Sequence, residues 1–376
     1  MRKVVISILL VFMTLLTSIL TYADNSGEEN IKKLSLDQAI DEAIKNSTEL
    51  KTIDLDIEIK EIELDQAKHS EKKYKDSEVV MINPMEDSSV QKFQIDKNMY
   101  SKKAKYALEE EKIKKNYKIE DLKYKVTASY YATLQARDYL NVANDNLKNV
   151  KRNRDEVKKK FDLGVASKSD LLMADISLNE ANVNLEKAKT DLENAYRRLN
   201  MVLNYPLDTK LELTSNFKEE EFKADLNKDL GKAYEQRFDM IQMNHNYEIV
   251  KLDFETNSIK YPENTYVYKT KQRNVAKIES VLADYKKVVE FDIRSKYDAV
   301  INAKKQIELA KANVEKAKEG LRLRELSYNA GVGTLLEVQQ AANQLYSTNI
   351  SLSAAVSNYN LAVLDYNKAV NIGNID

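Results

Sequence analysis

The chain has 376 residues, 59 Lys and Arg against 60 Asp and Glu, a formal charge of −1, 43% hydrophobic and 32% charged residues, seven glycines, three prolines and no cysteine. So even a balance excludes a broad nucleic-acid footprint, and the missing cysteine excludes a disulfide framework, thiolate chemistry and lipid attachment at a cysteine. Abundant charge of mixed sign with little Gly or Pro is the composition of long solvated helices.

Met1-Arg2-Lys3 is a basic start, Val4 to Leu20 an apolar run, and Thr21-Tyr22-Ala23 supplies small residues at a cleavage position, so residues 1–23 read as a signal peptide. An uncleaved anchor is the alternative, since the run lies at the short limit of a spanning helix. Either way the chain is exported. Asp24 to Lys33 reads as a polar, flexible lead-in. A helix is predicted from Leu36 with Ser35 as its N-cap, interrupted at Asn46-Ser47, and a second from about Glu49 to Lys68. Residues 69–98 break the helical pattern: Val79 to Ile82 and Val90 to Ile95 read as very short strands around an Asn83-Pro84 turn.

Helical pattern resumes near Tyr100 and continues to Phe161, about 90 Å if unbroken. It stops at Leu163-Gly164-Val165. The returning helix carries Leu171, Ala174, Leu178, Ala181, Leu185, Ala188, Leu192, Ala195, Leu199 and Val202, a heptad seam in which Leu and Ala alternate. The outgoing helix answers with Leu140, Ala143, Leu147, Val150, Val157 and Phe161, with Arg154 in the one polar slot. Asn204-Tyr205-Pro206 ends the hairpin, and Asp208 to Lys223 reads as a charged linker.

The plan then recurs. Leu122 to Tyr205 aligns without a gap onto Val289 to Ile372, with Tyr130, Gly164, Val165, Ala174, Asn182 and Asn200 meeting identical residues at Tyr297, Gly331, Val332, Ala341, Asn349 and Asn367. Heptads alone would match apolar positions, not Asn and Gly as well, so the chain is read as a duplication: 34–206, a linker at 207–224, and 225–373. The expected class is all-α, long coiled-coil hairpins in two tandem repeats with at most very short strands. In the second break, 258–275, Tyr266-Val267-Tyr268 is the one strand-like run.

No catalytic or metal-binding constellation emerges. His69 and His245 occupy unmatched positions of the two halves, and the seven glycines form no phosphate loop. Lys158-Lys159-Lys160 reads as a solvated helix end. An enzyme is not indicated, and no cofactor.

An exported chain in two similar halves, opening with Leu36, Asp37, Ala39, Ile40, Ala43, Ile44, Asn46 and Leu50, with hairpins turning at Phe161 to Val165 and Tyr328 to Val332, resembles the TolC family of outer-membrane efflux ducts. The likeness spans 34–373. It implies a homotrimer whose protomers each give two long helices to a tunnel, and partners in a periplasmic-type adaptor and an inner-membrane exporter of ABC or RND type. The tips Leu163, Gly164, Val165, Ala330, Gly331 and Val332 would receive the adaptor. Asp170 and Glu337 match acidic positions of the tunnel constriction, and Tyr328 and Ser169 two further members of the tip network.

Two positions depart from the family pattern: Gln340 stands at the second acidic position and Gly333 where the locking arginine is expected. The breaks also hold too few alternating residues for membrane strands, which need about 9 to 11 each. The transmembrane barrel is therefore expected to be reduced to loops, with an envelope location that need not include crossing an outer membrane. The alternative is a structural or adaptor coiled coil of the envelope without its own pore.

Overall fold

The computed structural model describes residues 31–77, 87–215 and 218–373. The signal segment, Val79 to Ile82 and Asn83-Pro84 lie outside the described residues. In chain order the elements are β1 (Lys32–Leu34), α1 (Leu36–Asn46), α2 (Thr48–Ser77), α3 (Ser88–Asp96), α4 (Met99–Asp162), α5 (Lys168–Val202), β2 (Leu211–Leu213), α6 (Leu226–Gln236), α7 (Phe238–Lys260), α8 (Tyr266–Asn329) and α9 (Leu335–Asn371).

Local signals set most boundaries. Ser35 caps α1 in a reciprocal box with Gln38. Ser47 and Arg237, both extended, separate α1 from α2 and α6 from α7. Asn204 takes a left-handed φ of 56° and closes the end of α5. The two long helices, α4 and α8, are each 64 residues, roughly 96 Å at 1.5 Å per residue.

Helix α5 folds back on α4 along the Leu/Ala seam, burying Ala143, Ala174, Ala181, Leu185, Ala188, Ala195 and Leu199. The polar slot in that seam is satisfied across it: Arg154 Nε donates to Asp175 Oδ1 at 2.8 Å. In the second hairpin α8 and α9 enclose Ile293, Val300, Ile307, Tyr359, Val363 and Tyr366. The hairpins lie side by side through α4 and α9. Lys368 Nζ, 2.6 Å from the buried Asp121 carboxylate, and the Tyr124 hydroxyl on Asp365 join them.

Four sequence expectations are corrected. Lys32 and Lys33 of the supposed lead-in form β1, which pairs in parallel with β2 inside the supposed linker, Lys32 facing Leu211 and Leu34 facing Leu213. Tyr130, fully buried, anchors both: its hydroxyl donates to Leu34 O at 2.9 Å and accepts from Ser215 N at 3.1 Å. The helix expected to stop near Lys68 runs on to Ser77.

Val90 to Ile95 is helical, within α3, because its interior face is Val90, Gln91, Gln94 and Ile95. The two amides tolerate burial because Tyr100 serves them, accepting from Gln91 Nε2 at 3.5 Å and donating to Gln94 Oε1 at 2.9 Å. Finally, Tyr266-Val267-Tyr268 is the first turn of α8, capped by Thr265. Residues 261–265 therefore join α7 to α8 directly, too short a span for a membrane-crossing strand. Among the described residues the expectation of an α fold with only very short strands stands.

Candidate functional site

Each hairpin turns through the same backbone device. Gly164 has φ of 75°, its N–H meets Phe161 O at 2.8 Å, and Val165 N–H meets Lys160 O at 2.8 Å. At the second tip Gly331 also has φ of 75°, with Gly331 N to Tyr328 O at 3.1 Å and Val332 N to Ser327 O at 3.0 Å. This paired closure of the last helical carbonyls is a Schellman motif, and it demands a left-handed residue that only glycine adopts without cost. A Cβ on either glycine would meet nothing within 4 Å, so the penalty for alanine is backbone strain alone. Gly164→Ala and Gly331→Ala are each expected to lower stability by about 1 kcal/mol, read as a shift in urea midpoint.

A Schellman turn ordinarily tucks the residue after the glycine against the last helical turn. Here Val165 is 76% and Val332 83% exposed, and Leu163 is 79% exposed. Ala330 and both glycines are also exposed. The six expected docking residues thus form two small apolar tips projecting into solvent.

The expected constriction residues distribute differently. Asp170 is the third residue of α5 and closes a capping box with Ser167, accepting from its N–H at 2.9 Å and from its hydroxyl at 2.7 Å. Glu337 does the same for α9 with Thr334, its Oε2 accepting from Thr334 N at 3.1 Å, and it pairs with Arg324 at 3.3 Å. Both carboxylates are therefore engaged within their own hairpins. Ser169 is exposed one residue before Asp170.

Tyr328 is the member that joins the hairpins, packing against the buried cluster of Val157, Ala174 and Leu335. Its hydroxyl is held above the ordinary tyrosine range, chiefly by burial and then by the charge of Asp170. Lys160 completes the junction: its ammonium lies 4.2 Å from the Tyr328 ring centre and donates to Asn329 Oδ1 at 3.0 Å. Reading Lys160 as part of a solvated helix end missed this, because its partners lie in the other hairpin and no local pattern marks them. At Gly333, a Cβ would come within 3.0 Å of Ser327 Cβ and 3.1 Å of Tyr328 N. A side chain at this place would need the end of α8 to give by a few tenths of an ångström.

Above the tips, α4, α8 and α9 border a cleft of about 530 Å³ lined by Asn146, Asn149, Asn153, Lys318, Arg322 and Asn343 among others. Val142, Val150, Leu321, Val338 and Leu345 lie among them, so the lining mixes polar and apolar groups. Elsewhere the helices carry uncovered apolar strips at heptad-like spacing, Leu55, Ile59 and Ile62 on α2, and Val281, Val288 and Phe291 on α8. Among the described residues no group of His, Cys, Asp and Glu is arranged to hold a metal, and no helix is long and apolar enough to cross a membrane.

The family model for outer membrane efflux proteins matches residues 291–370, which span most of the α8–α9 hairpin. No curated protein matches the chain. Three solved structures share the fold: a membrane protein from Pseudomonas aeruginosa (13% identity, TM-score 0.70, 90% of each chain covered); the channel-forming CusC (14%, 0.69, 94% of this chain and 96% of that one); and the outer membrane protein VceC from Vibrio cholerae (11%, 0.69, 90% and 97%). Residues 291–370 thus carry the sequence signature of the outer membrane efflux proteins, and the fold around them is that of a TolC-type channel protomer.

Proposed function

We propose that this chain is one protomer of an exported, trimeric α-helical conduit that passes solutes for an inner-membrane exporter and docks an adaptor through its two tips. The observation that carries the reading is the pair of matching Schellman turns, each ending a 64-residue helix in an exposed valine, at Val165 and Val332. Two equivalent apolar knobs on one protomer suit a repeated partner of the adaptor kind. The Asn-rich cleft and the uncovered apolar strips support the same reading, since a tunnel needs both a wet wall and faces for neighbouring copies.

In the trimer, Asp170 and Glu337 from each protomer form an acidic ring favouring cations, held in place by their capping boxes and, at Glu337, by Arg324 of the same hairpin. The chain divides as two repeats, 34–206 and 225–373, behind a cleaved signal at 1–23. The protein acts in the cell envelope without catalysis or cofactor.

The test has two parts. Mass measured in detergent-free buffer is expected to give a trimer, and a monomer sinks the conduit. Val165→Asp with Val332→Asp is expected to cut crosslinking to the adaptor by about tenfold or more, because a tip contact of this kind rests on desolvated apolar anchors. Helical content should be unchanged, as both side chains are exposed. Undiminished crosslinking would remove the tips as the docking site. The five-residue connection at 261–265, where a membrane strand pair is lacking, favours a second reading, a poreless coiled-coil component of the envelope. An assembly that never conducts in planar bilayers, yet still captures the adaptor, would select it.

A further inference from the structure

The end of the molecule opposite the tips is charge-segregated. Across residues 68–77, 87–105 and 260–277 there are fourteen Lys and Arg against five Asp and Glu, whereas the chain as a whole has 59 against 60. These segments are the end of α2, all of α3, and the starts of α4 and α8, so they lie roughly 90 Å along the long helices from the tips. They form one surface: α3 packs on α7, α7 on α8, α2 on α4, and Lys260 at the end of α7 pairs with Asp87 at the cap of α3.

Two of the five acids here are engaged, Glu71 and Asp87, while Asp76, Asp96 and Glu263 are exposed. Glu71 accepts from Tyr100 N at 2.9 Å and Ser101 N at 3.0 Å, capping α4, and Asp253 holds Lys271 at 2.6 Å. Lys72, Lys92, Lys97, Lys103, Lys269, Arg273 and Lys277 are exposed, and none is in an ion pair among the described residues. On α8, Lys269, Arg273 and Lys277 follow one another at four-residue spacing on one face. Tyr266 heads the same stripe and is 91% exposed.

We propose that this blunt basic end seats on the anionic headgroup surface of a lipid bilayer, as a peripheral electrostatic contact that needs no membrane-spanning strand. Each Lys or Arg close to an anionic leaflet adds attraction, and an amphipathic tyrosine among them suits the headgroup boundary. The proposal depends on this surface alone. Its failure leaves the conduit reading intact, and loss of trimer or adaptor contact leaves vesicle binding intact.

The test is flotation of the full chain with vesicles of phosphatidylcholine alone or with phosphatidylglycerol added. Binding is expected to the anionic vesicles only and to fall in high salt. Lys103→Glu, Lys269→Glu, Arg273→Glu and Lys277→Glu combined should weaken it by about tenfold or more. A control reversing Lys151, Lys158, Lys159 and Lys168 to Glu near the tip makes the same change in net charge and is expected to bind as before. Circular dichroism checks that both variants stay helical.

Three outcomes overturn the proposal. One is equal loss in both variants, which would indicate a net-charge effect. Another is undiminished binding by the first variant or equal binding to neutral vesicles, which would place the contact elsewhere in the chain. The third is retention on purified anionic cell-wall polymer without flotation, which would make the partner a polymer.

Discussion

Arg237→Ala is expected to destabilise the protein by about 3–5 kcal/mol, because it strands a buried carboxylate. Arg237 sits between α6 and α7 with its guanidinium almost fully enclosed. Its Nε donates to Asp239 Oδ1 at 3.0 Å and its Nη2 to Asp239 Oδ2 at 2.7 Å, a two-pronged contact. The remaining Nη1 reaches Asp292 at 3.1 Å on α8 and Ala369 O at 2.9 Å on α9. Gly373, with φ of 69°, lies so close that a Cβ would fall 2.5 Å from Arg237 Nε. One side chain thus fixes the α6–α7 corner against both long helices of the second hairpin. Urea denaturation measures the loss, and Arg237→Ala combined with Asp239→Asn should recover part of it by removing the orphaned charge. A single substitution costing under about 1 kcal/mol would show the network to be dispensable.

The second large effect is expected at alkaline pH. Tyr124, Tyr131, Tyr285 and Tyr366 donate their hydroxyls to Asp365, Glu220, Asp239 and Asp229 respectively. Burial first, and then the adjacent carboxylate, raises all four above the ordinary tyrosine value, Tyr285 to about 12. With folded pKa values above the unfolded value of about 10, these groups contribute stability that is fully present below pH 10. It is lost as pH rises through the folded values. Their bonds join α4 to α9, α4 to the segment before α6, α7 to α8, and α9 to α6, so ionisation loosens several helix contacts at once. Thermal melts should fall steeply above about pH 10, and Tyr131→Phe with Tyr366→Phe should flatten that fall while lowering the midpoint near neutrality. A melting temperature constant to pH 12 would contradict the assignment.

What the sequence determined by itself is the helical scaffold and its turning points. Ser35, Gly164 and Gly331 act on their own neighbours, through a cap or a left-handed φ, so their meaning is complete within a few residues. The Leu/Ala seam is likewise a local periodicity, and it correctly paired α4 with α5.

Only the tertiary structure decided what depends on residues far apart in the chain. The three-residue strands β1 and β2 are too short to show a period, and each exists because the other lies beside it over Tyr130. Val90 to Ile95, read as a short strand, is part of helix α3, whose interior face includes Gln91 and Gln94 bonded to Tyr100 of the next helix. Asp170 and Glu337 were legible as acidic residues beside the tips, and their capping of α5 and α9 is a local contact three residues away, whereas the tie from Lys160 to Tyr328 in the other hairpin emerged only with the packing. Local propensity writes helices and turns into a sequence, whereas a buried polar group takes its meaning from the partner that folding brings to it.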